Sequence, residues 1–318
     1  MSFASDVRGE LARQPHHDIC CARSELAAAL LASGGISYRG RNRYSLSITA
    51  TDAPVVRRYF AILKQFWGVI GQIRTLSADA LNGLVRYQLI IPDESALMLL
   101  EELSLLDESA LFGVRQLPRE ELVRFACCKK AFVRAAFLMC GAVNNPEKDY
   151  HWEISSPTEP FALFVIKLMN YFEIPVKNTC RKAKFMVYLK KAESISNMLT
   201  LLGAGSTVLT YENVRIKKEV SNQVNRQINC DQSNINRVVS ASETQIQDIL
   251  YIDSELGLNK LPKSLRDIAE VRLGNPATSL TGLGELFDPP LGKSCVNARL
   301  RKLTDIAQKL RSGEEVRL

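Results

Sequence analysis

Two helix-like segments of the same design occur 107 residues apart in this chain (141 − 34). Each segment, 26–34 and 133–141, is apolar, rich in small residues and ends at a glycine. Alanines stand at matching positions, 28 and 29 in the first segment and 135 and 136 in the second. Small residues let two helices approach closely, and a terminal glycine commonly ends a helix in the left-handed conformation. The pattern predicts two equivalent helices, packed together, within a duplicated unit.

The residues after each glycine repeat one order of strands and helices. Pro54 recurs as Pro160 and Phe66 as Phe172, both with an offset of 106 (160 − 54; 172 − 66). We therefore predict a duplicated α/β domain over 1–210, with repeats at about 19–105 and 120–205. An Asn-rich polar segment over 211–240 follows, interpreted as a solvated linker that is partly helical at most. Helical patterning alone marks a third region, 241–318, with helices near 243–256, 263–273, 280–287 and 293–311.

Length, charge and hydropathy restrict the class of protein. A chain of 318 residues is long enough for two or three domains. Its net charge of +7 permits a polyanionic partner without proving one. No apolar run of 18 residues occurs, which excludes a membrane-spanning helix. The first ten residues lack the apolar core of a secretion signal, so we expect a cytoplasmic protein.

The eight cysteines follow no recognised metal-binding pattern. No Cys-x-x-Cys pair occurs, and only three histidines are present. This spacing argues against a structural zinc site, and we predict neither a metal nor a cofactor. The doublets Cys20-Cys21 and Cys127-Cys128 are interpreted as reduced thiols rather than a redox switch.

The last two predicted helices have the pattern of a helix-turn-helix. Residues 288–292 include two prolines and cannot continue a helix. In the final helix, Val296, Leu300, Leu303 and Ile306 are spaced to form a buried face. The remaining face is basic and polar, and asparagine and arginine can pair with adenine and guanine in the major groove. The predicted DNA-binding residues are Lys293, Ser294, Asn297, Arg299, Arg301 and Lys302. The alternative is a solvated basic face without a partner.

The two glycine-ended segments resemble the core helix of LAGLIDADG homing endonucleases. In those enzymes the motif ends in Asp-Gly, and the aspartate binds the metal that cuts DNA. Ser33 and Cys140 stand at that position here. The resemblance therefore implies DNA binding without cleavage, and no catalytic residue is assigned. Glu25 and Glu153 remain as carboxylates that could in principle ligate a cation.

In a LAGLIDADG-like saddle, the strands lie on the DNA side. Basic residues in acid-free stretches of the predicted strands could contact phosphates, which position DNA without specifying its sequence. The possible DNA-binding residues are Arg39, Arg41, Arg43, Lys177, Arg181, Lys182 and Lys184, together with Arg226 in the polar segment. Soluble sheet edges are an equally good explanation of the basic hairpins.

Taken together, the two halves resemble the WhiA family of bacterial regulators. The resemblance rests on the paired helices and on the stretches 222–230 (NQVNRQINC), 283–290 (LGELFDPP) and 293–303 (KSCVNARLRKL). It implies an α+β fold, in which a duplicated LAGLIDADG-like saddle domain precedes an all-α helix-turn-helix domain of sigma region 4 type.

The same resemblance implies a nucleoid-associated transcription regulator of sporulation, or of cell division and chromosome segregation. Double-stranded DNA is the expected partner, with other transcription or cell-division proteins as further candidates. Two alternatives stay open at this point. One is an active metal-dependent endonuclease, and the other is a protein-interaction scaffold in which only the C-terminal domain binds DNA.

Overall fold

The computed structural model divides the chain into two compact units. The described residues are 2–15, 18–33, 35–41, 43–76, 85–107, 109, 111–181 and 184–314. The first unit is Met1–Lys218 and the second is Glu219–Leu318. The domain limits predicted at 210 and 240 differ from this division and stay a prediction. Among the described residues, no helix combines the length and the apolar character needed to cross a bilayer.

The first unit contains one α/β repeat twice, which confirms the predicted duplicated fold. The first repeat consists of α2 (Ile19–Ser33), β1 (Ile36–Tyr38), β2 (Tyr44–Ala50), α3 (Ala53–Trp67), β3 (Gln72–Leu76), β4 (Arg86–Ile91) and α4 (Asp93–Glu102). The second repeat consists of α5 (Ala126–Cys140), β5 (Gly141–Val143), β6 (Trp152–Ser156), α6 (Glu159–Tyr171), β7 (Lys177–Arg181), β8 (Lys184–Leu189) and α7 (Ala192–Leu202). An N-terminal helix that the sequence analysis missed, α1 (Phe3–Ala12), precedes them.

Each repeat forms a four-stranded antiparallel sheet with one buried face. The strand orders are β1-β2-β4-β3 and β5-β6-β8-β7. Buried and partly exposed residues alternate along the whole of β2 and β6, because successive side chains of a strand point to opposite faces. Helices α3 and α6 pack on the buried faces. The opposite face of each sheet is called here the outer face. It carries the partly exposed residues of β2 and β6, most of them polar.

Helices α2 and α5 pack against each other at the centre of the first unit. Ala28, Ala29, Ala135 and Ala136 are fully buried there, as the small-residue pattern predicted. The approach is close enough for the Ser24 hydroxyl of α2 to donate a hydrogen bond to a backbone carbonyl of α5, that of Cys128, at 2.7 Å. Both repeats consequently share a single hydrophobic core.

The prediction that glycine ends the second core helix in a left-handed conformation is wrong. Gly141 has φ −91° and ψ 153°, an extended conformation that leads directly into β5. Glycine is required there for space, because a Cβ atom would lie 2.2 Å from the Phe137 ring and 2.5 Å from its carbonyl oxygen. The Phe137 ring in turn stacks on Trp152 at 5.4 Å between centroids. The matching residue of the first repeat, Gly34, lies outside the described residues.

The polar segment 211–240 lies within a helix of 51 residues, α8 (Gly205–Glu255). Sequence analysis expected a solvated linker there, helical only in part. Residues 206–256 contain neither glycine nor proline, so nothing in the backbone interrupts the helix. All residues from 219 to 241 are exposed. The asparagines therefore mark a solvated helix surface.

The second unit is all-helical and has its own core. After α8, its helices are α9 (Lys263–Gly274), α10 (Leu280–Glu285) and α11 (Lys293–Ser312). The ends of α9, α10 and α11 agree with three of the predicted helices to within two residues. The fourth predicted helix, 243–256, is the C-terminal part of α8. The fully buried core residues come from all four helices: Ile249, Ile252, Ile268, Ala269, Leu283, Val296 and Ala307. The second unit is therefore the predicted helix-turn-helix region.

Candidate nucleic-acid interface

A short helix, a tight turn and a longer helix form the helix-turn-helix of the second unit. Ser279 is the N-cap of α10, and its hydroxyl accepts a hydrogen bond from the Gly282 N–H at 3.2 Å. The turn folds back so closely that the Leu291 N–H donates to the Gly284 carbonyl at 2.9 Å. A Cβ atom at position 284 would lie 2.0 Å from the Leu291 carbonyl oxygen. Glycine at 284 therefore lets the turn pack on α10.

The buried face of α11 is almost the one predicted. Val296, Leu300 and Leu303 are at most 1% exposed. Ile306 is half-buried, and the neighbouring Ala307 occupies the innermost position instead. The small alanine permits a closer approach than isoleucine at this point. These contacts fix the rotation of α11 and determine which side chains face solvent.

The solvent face of α11 carries the predicted DNA-binding side chains. Lys293, Ser294, Arg301 and Lys302 are exposed, and Asn297 and Arg299 are half-buried. Within the described part of the chain, none of the four cations in this set forms a salt bridge. All six residues lie in the first three turns of α11. The helix therefore presents an uncompensated basic surface at its N-terminal end.

The N-terminal end of α11 also favours an anion through its backbone. Its N-cap is Gly292, which offers no side-chain acceptor, and its first turn holds no acid. The first N–H groups of a helix lack partners within the helix, and the macrodipole adds positive potential there. Lys293 at this end is unfavourable for the isolated helix but suits a helix that faces a phosphate.

The outer face of the second sheet brings together three predicted cations. Lys177 pairs with Tyr188 across β7 and β8, and Arg181 pairs with Lys184. Because paired residues of an antiparallel sheet share a face and alternate residues return to it, Lys177, Arg181 and Lys184 lie on one side. Val187 and Leu189 occupy the other, buried side. Lys182 lies outside the described residues.

The first sheet has two outer-face cations that the sequence analysis missed. Arg74 pairs with Gln88, and Arg86 pairs with Leu76. The alternation along β4 places Arg86 and Gln88 opposite the buried Leu89 and Ile91. The sequence shows this alternation. The basic contacts were predicted from stretches without acidic residues, however, and not from the two faces of each strand, so Arg74 and Arg86 were missed.

The other basic residues predicted from the sequence lie elsewhere. Arg39, Arg41 and Arg43 are exposed at the turn between β1 and β2, where the Arg39 N–H donates to the Arg43 carbonyl at 2.8 Å. Arg226 is exposed on α8. It precedes the core residue Ile249 by 23 positions, about 35 Å along the helix axis. Arg226 therefore lies far along α8 from the core residues of the second unit.

At the two positions that bind the metal in a nuclease, the side chains donate hydrogen bonds to backbone carbonyls of their own helices. The Ser33 hydroxyl donates to the Leu30 carbonyl at 3.4 Å. The Cys140 thiol donates to the Ala136 carbonyl at 3.1 Å. Burial raises the pKa of Cys140 to about 12, so this thiol is neutral and a poor nucleophile at neutral pH.

The remaining carboxylates do not replace those ligands. Glu25 is buried and ion-paired with Arg58, whose Nη2 donates to Glu25 Oε2 at 2.9 Å. It lies eight residues before Ser33, about 12 Å along α2. Glu153 is hydrogen-bonded to His151 at 2.8 Å. Glu25, which could in principle ligate a cation, is paired with Arg58 instead.

Comparison with known proteins gives matches over nearly the whole chain. Family models match for the WhiA N-terminal LAGLIDADG-like domain at residues 19–106, the WhiA LAGLIDADG-like domain at 129–221 and the WhiA C-terminal HTH domain at 224–307. A "probable cell division protein WhiA" of Desulforamulus reducens is 40% identical, covering 99% of this chain and 98% of the relative. The protein of the same name from Heliobacterium modesticaldum is 38% identical, with 97% and 96% covered.

A solved structure resembles this one along its length. The full-length DUF199/WhiA protein from Thermatoga maritima superimposes with a TM-score of 0.59 at 21% identity, covering 97% of this chain and 99% of that one. At that identity the likeness concerns the fold alone.

Proposed function

Because this chain belongs to the WhiA family, we propose that it is a DNA-binding transcription regulator without nuclease activity. The observation that carries this proposal is the solvent face of α11. Four cations without salt bridges among the described residues, and an asparagine, lie on the second helix of a helix-turn-helix. In such motifs the N-terminal residues of the second helix enter the major groove.

The side chains of α11 divide by role. Asn297 and Arg301 are one turn apart, and such a pair reaches neighbouring base steps when the helix lies in the groove. Lys293 stands at the helix end and Lys302 beyond Arg301, where ammonium groups bind phosphates as point charges. The outer face of the second sheet would add phosphate contacts through Lys177, Arg181 and Lys184.

The chemistry of positions 33 and 140 supports a role without catalysis. A hydroxyl and a neutral thiol replace the two carboxylates that would hold the metal, and Glu25 is committed to Arg58. Supercoiled DNA incubated with the purified protein and Mg²⁺ or Mn²⁺ should stay intact. Nicking that a Glu153→Ala variant loses would overturn this assignment, whereas nicking that the variant retains would come from a contaminant.

The curated relatives are named for cell division. We infer that this chain regulates genes of cell division and chromosome segregation, or of sporulation, while associated with the nucleoid. Double-stranded DNA is the partner that the surface of α11 suits. Other transcription or cell-division proteins are further partners that the resemblance implies.

Selection of bound sequences from random double-stranded DNA tests the proposal. The full-length protein should enrich a defined sequence. Arg301→Ala should lower affinity for that sequence by about 1–3 kcal/mol and broaden the base preference at one position. Quantitative binding to the selected and a scrambled duplex gives both numbers.

A charge-matched control is available in the same helix. Lys309 is exposed in the last turn of α11, so Lys309→Ala removes one charge far from the N-terminal end. This variant should keep the sequence preference of the wild type. If folded Arg301→Ala protein discriminates as well as Lys309→Ala, α11 is not the sequence-reading element.

A further inference from the structure

Four cysteine thiols meet in one cluster at the N-terminal ends of α2 and α5. Cys20 and Cys21 lie in the first turn of α2, and Cys127 and Cys128 lie in the first turn of α5. The four Sγ atoms are all within 4.8 Å of one another. The Sγ–Sγ distance is 4.0 Å between Cys20 and Cys21 and 3.9 Å between Cys127 and Cys128. None of them forms a disulfide.

The cluster is a product of the internal duplication. Cys127 follows Cys20 by 107 residues (127 − 20), the same offset that relates the two core helices. The argument against zinc from the sequence required Cys-x-x-Cys pairs within one segment. The fold instead supplies two adjacent pairs from the equivalent ends of two helices that run side by side, so that argument does not apply here.

The distances suit one tetrahedral ion. Zinc binds thiolate sulfur at about 2.3 Å, so the sulfurs of a Cys₄ site are about 3.8 Å apart. The Cys20–Cys21 and Cys127–Cys128 distances are close to that edge length, and every other Sγ pair is within 4.8 Å. An iron–sulfur cluster inserts several iron and sulfide atoms between its cysteines, and thiolates this close leave no room for it.

The helix ends around the cluster favour the net negative charge of a zinc ion bound by four thiolates. Two helix N-termini point their positive ends at the sulfurs. Arg23, Lys129 and Lys130 are sequence neighbours of the cysteines.

We propose that Cys20, Cys21, Cys127 and Cys128 bind one zinc ion that ties the N-terminal ends of the two core helices together. Four protein thiolates complete the tetrahedron and leave no open position, which is the arrangement of a structural site. Each thiol that binds releases its proton to solvent. The ion joins residues 107 positions apart in sequence (127 − 20), so it closes a long loop and stabilises the paired repeats.

Metal analysis of the full-length, tag-free protein tests the site. Protein from zinc-supplied cells, purified with reductant and without chelator, should contain about one zinc per chain by mass spectrometry. Cys127→Ser, at the most exposed cysteine of the cluster, should lose that zinc. Cys230→Ser, at an exposed cysteine in α8, is the matched control and should retain it.

Cobalt substitution of the wild type keeps the test valid if the cluster variant fails to fold. Co²⁺ bound by four thiolates should give the intense visible and near-ultraviolet bands of a tetrahedral thiolate site, and added Zn²⁺ should abolish them. Removal of the metal should lower the melting temperature of the wild type.

Three findings on the wild-type protein would overturn the proposal. They are four alkylatable cluster thiols without a metal, iron–sulfur absorption, and a disulfide within the cluster. Loss of zinc from Cys230→Ser would do the same.

Discussion

Glu25 and Arg58 form an ion pair that is almost completely removed from solvent. Their side chains are 2% and 0% exposed. The guanidinium also donates to the Gln14 carbonyl at 2.5 Å. These contacts join α2 and α3 to the short connection between α1 and α2. A buried charge of this kind is tolerated because its partner and hydrogen bonds replace the lost hydration.

Arg58→Met should destabilise the protein strongly because it leaves the Glu25 carboxylate buried without its partner. The free energy of unfolding should fall by about 3–5 kcal/mol. The unfolding transition of the first unit in urea measures this loss. Arg57→Met changes the exposed neighbour in the same helix and should cost well under that amount. Equal losses in the two variants would show that the ion pair is not important for stability.

Single residues divide clearly into those that the sequence could identify and those that it could not. The replacement of two aspartates by Ser33 and Cys140 is visible in the motif. The partner of Glu25 is 33 positions away, and only the packing of α3 against α2 brings Arg58 there. The four cysteines are visible in the sequence as two doublets. Only the packing of α2 against α5, with their N-terminal ends side by side, brings the four thiols together.

At the scale of elements, patterning predicted most strands and helices but not every end. Strands β2 and β6 and helix α11 each bury one face. Such burial gives a periodic pattern of apolar residues, which can be read from the sequence. Helix α1 lacked such a strong pattern. Helix α8 was underestimated because its surface from 219 to 241 is entirely exposed. A solvated helix and a polar linker have similar compositions.

The turn of the helix-turn-helix should be sensitive to a single methyl group. Gly284→Ala places a Cβ atom against the Leu291 carbonyl, so the turn must shift away from α10. We expect a loss of about 1–3 kcal/mol in stability of the second unit, together with weaker binding of the selected DNA. Thermal melting and DNA titration of the full-length protein measure the two effects.

Gly292→Ala is the matched control for that substitution. Gly292 has φ −67°, which any residue can adopt. A Cβ atom added there would have no heavy atom of the described residues within 4 Å, apart from its chain neighbours, so alanine should be accommodated. A Gly284→Ala protein as stable as Gly292→Ala would contradict the close packing of the turn.

At the scale of the whole molecule, the excess of positive charge occurs on distinct surfaces of the two units. The chain has a net charge of +7. In the first unit, Lys177, Arg181 and Lys184 share an outer sheet face, and in the second unit the basic face belongs to α11. If both surfaces bind phosphates, each should contribute separately to the salt dependence of DNA binding. That dependence distinguishes a DNA-binding saddle from a protein-binding one.

Removing Lys177 and Lys184 together should weaken binding to all DNA sequences alike and flatten the salt dependence. Each phosphate contact contributes about −0.9 to the slope of log K against log salt, so the double alanine variant should reduce its magnitude by roughly 1.8. Arg57→Ala with Lys64→Ala removes the same charge from exposed positions of α3, which covers the buried face of the first sheet, and should leave the slope unchanged. Fluorescence anisotropy titrations over a range of salt concentrations measure all three proteins. Equal slopes in all three would favour a saddle that binds protein, with DNA held by the second unit alone.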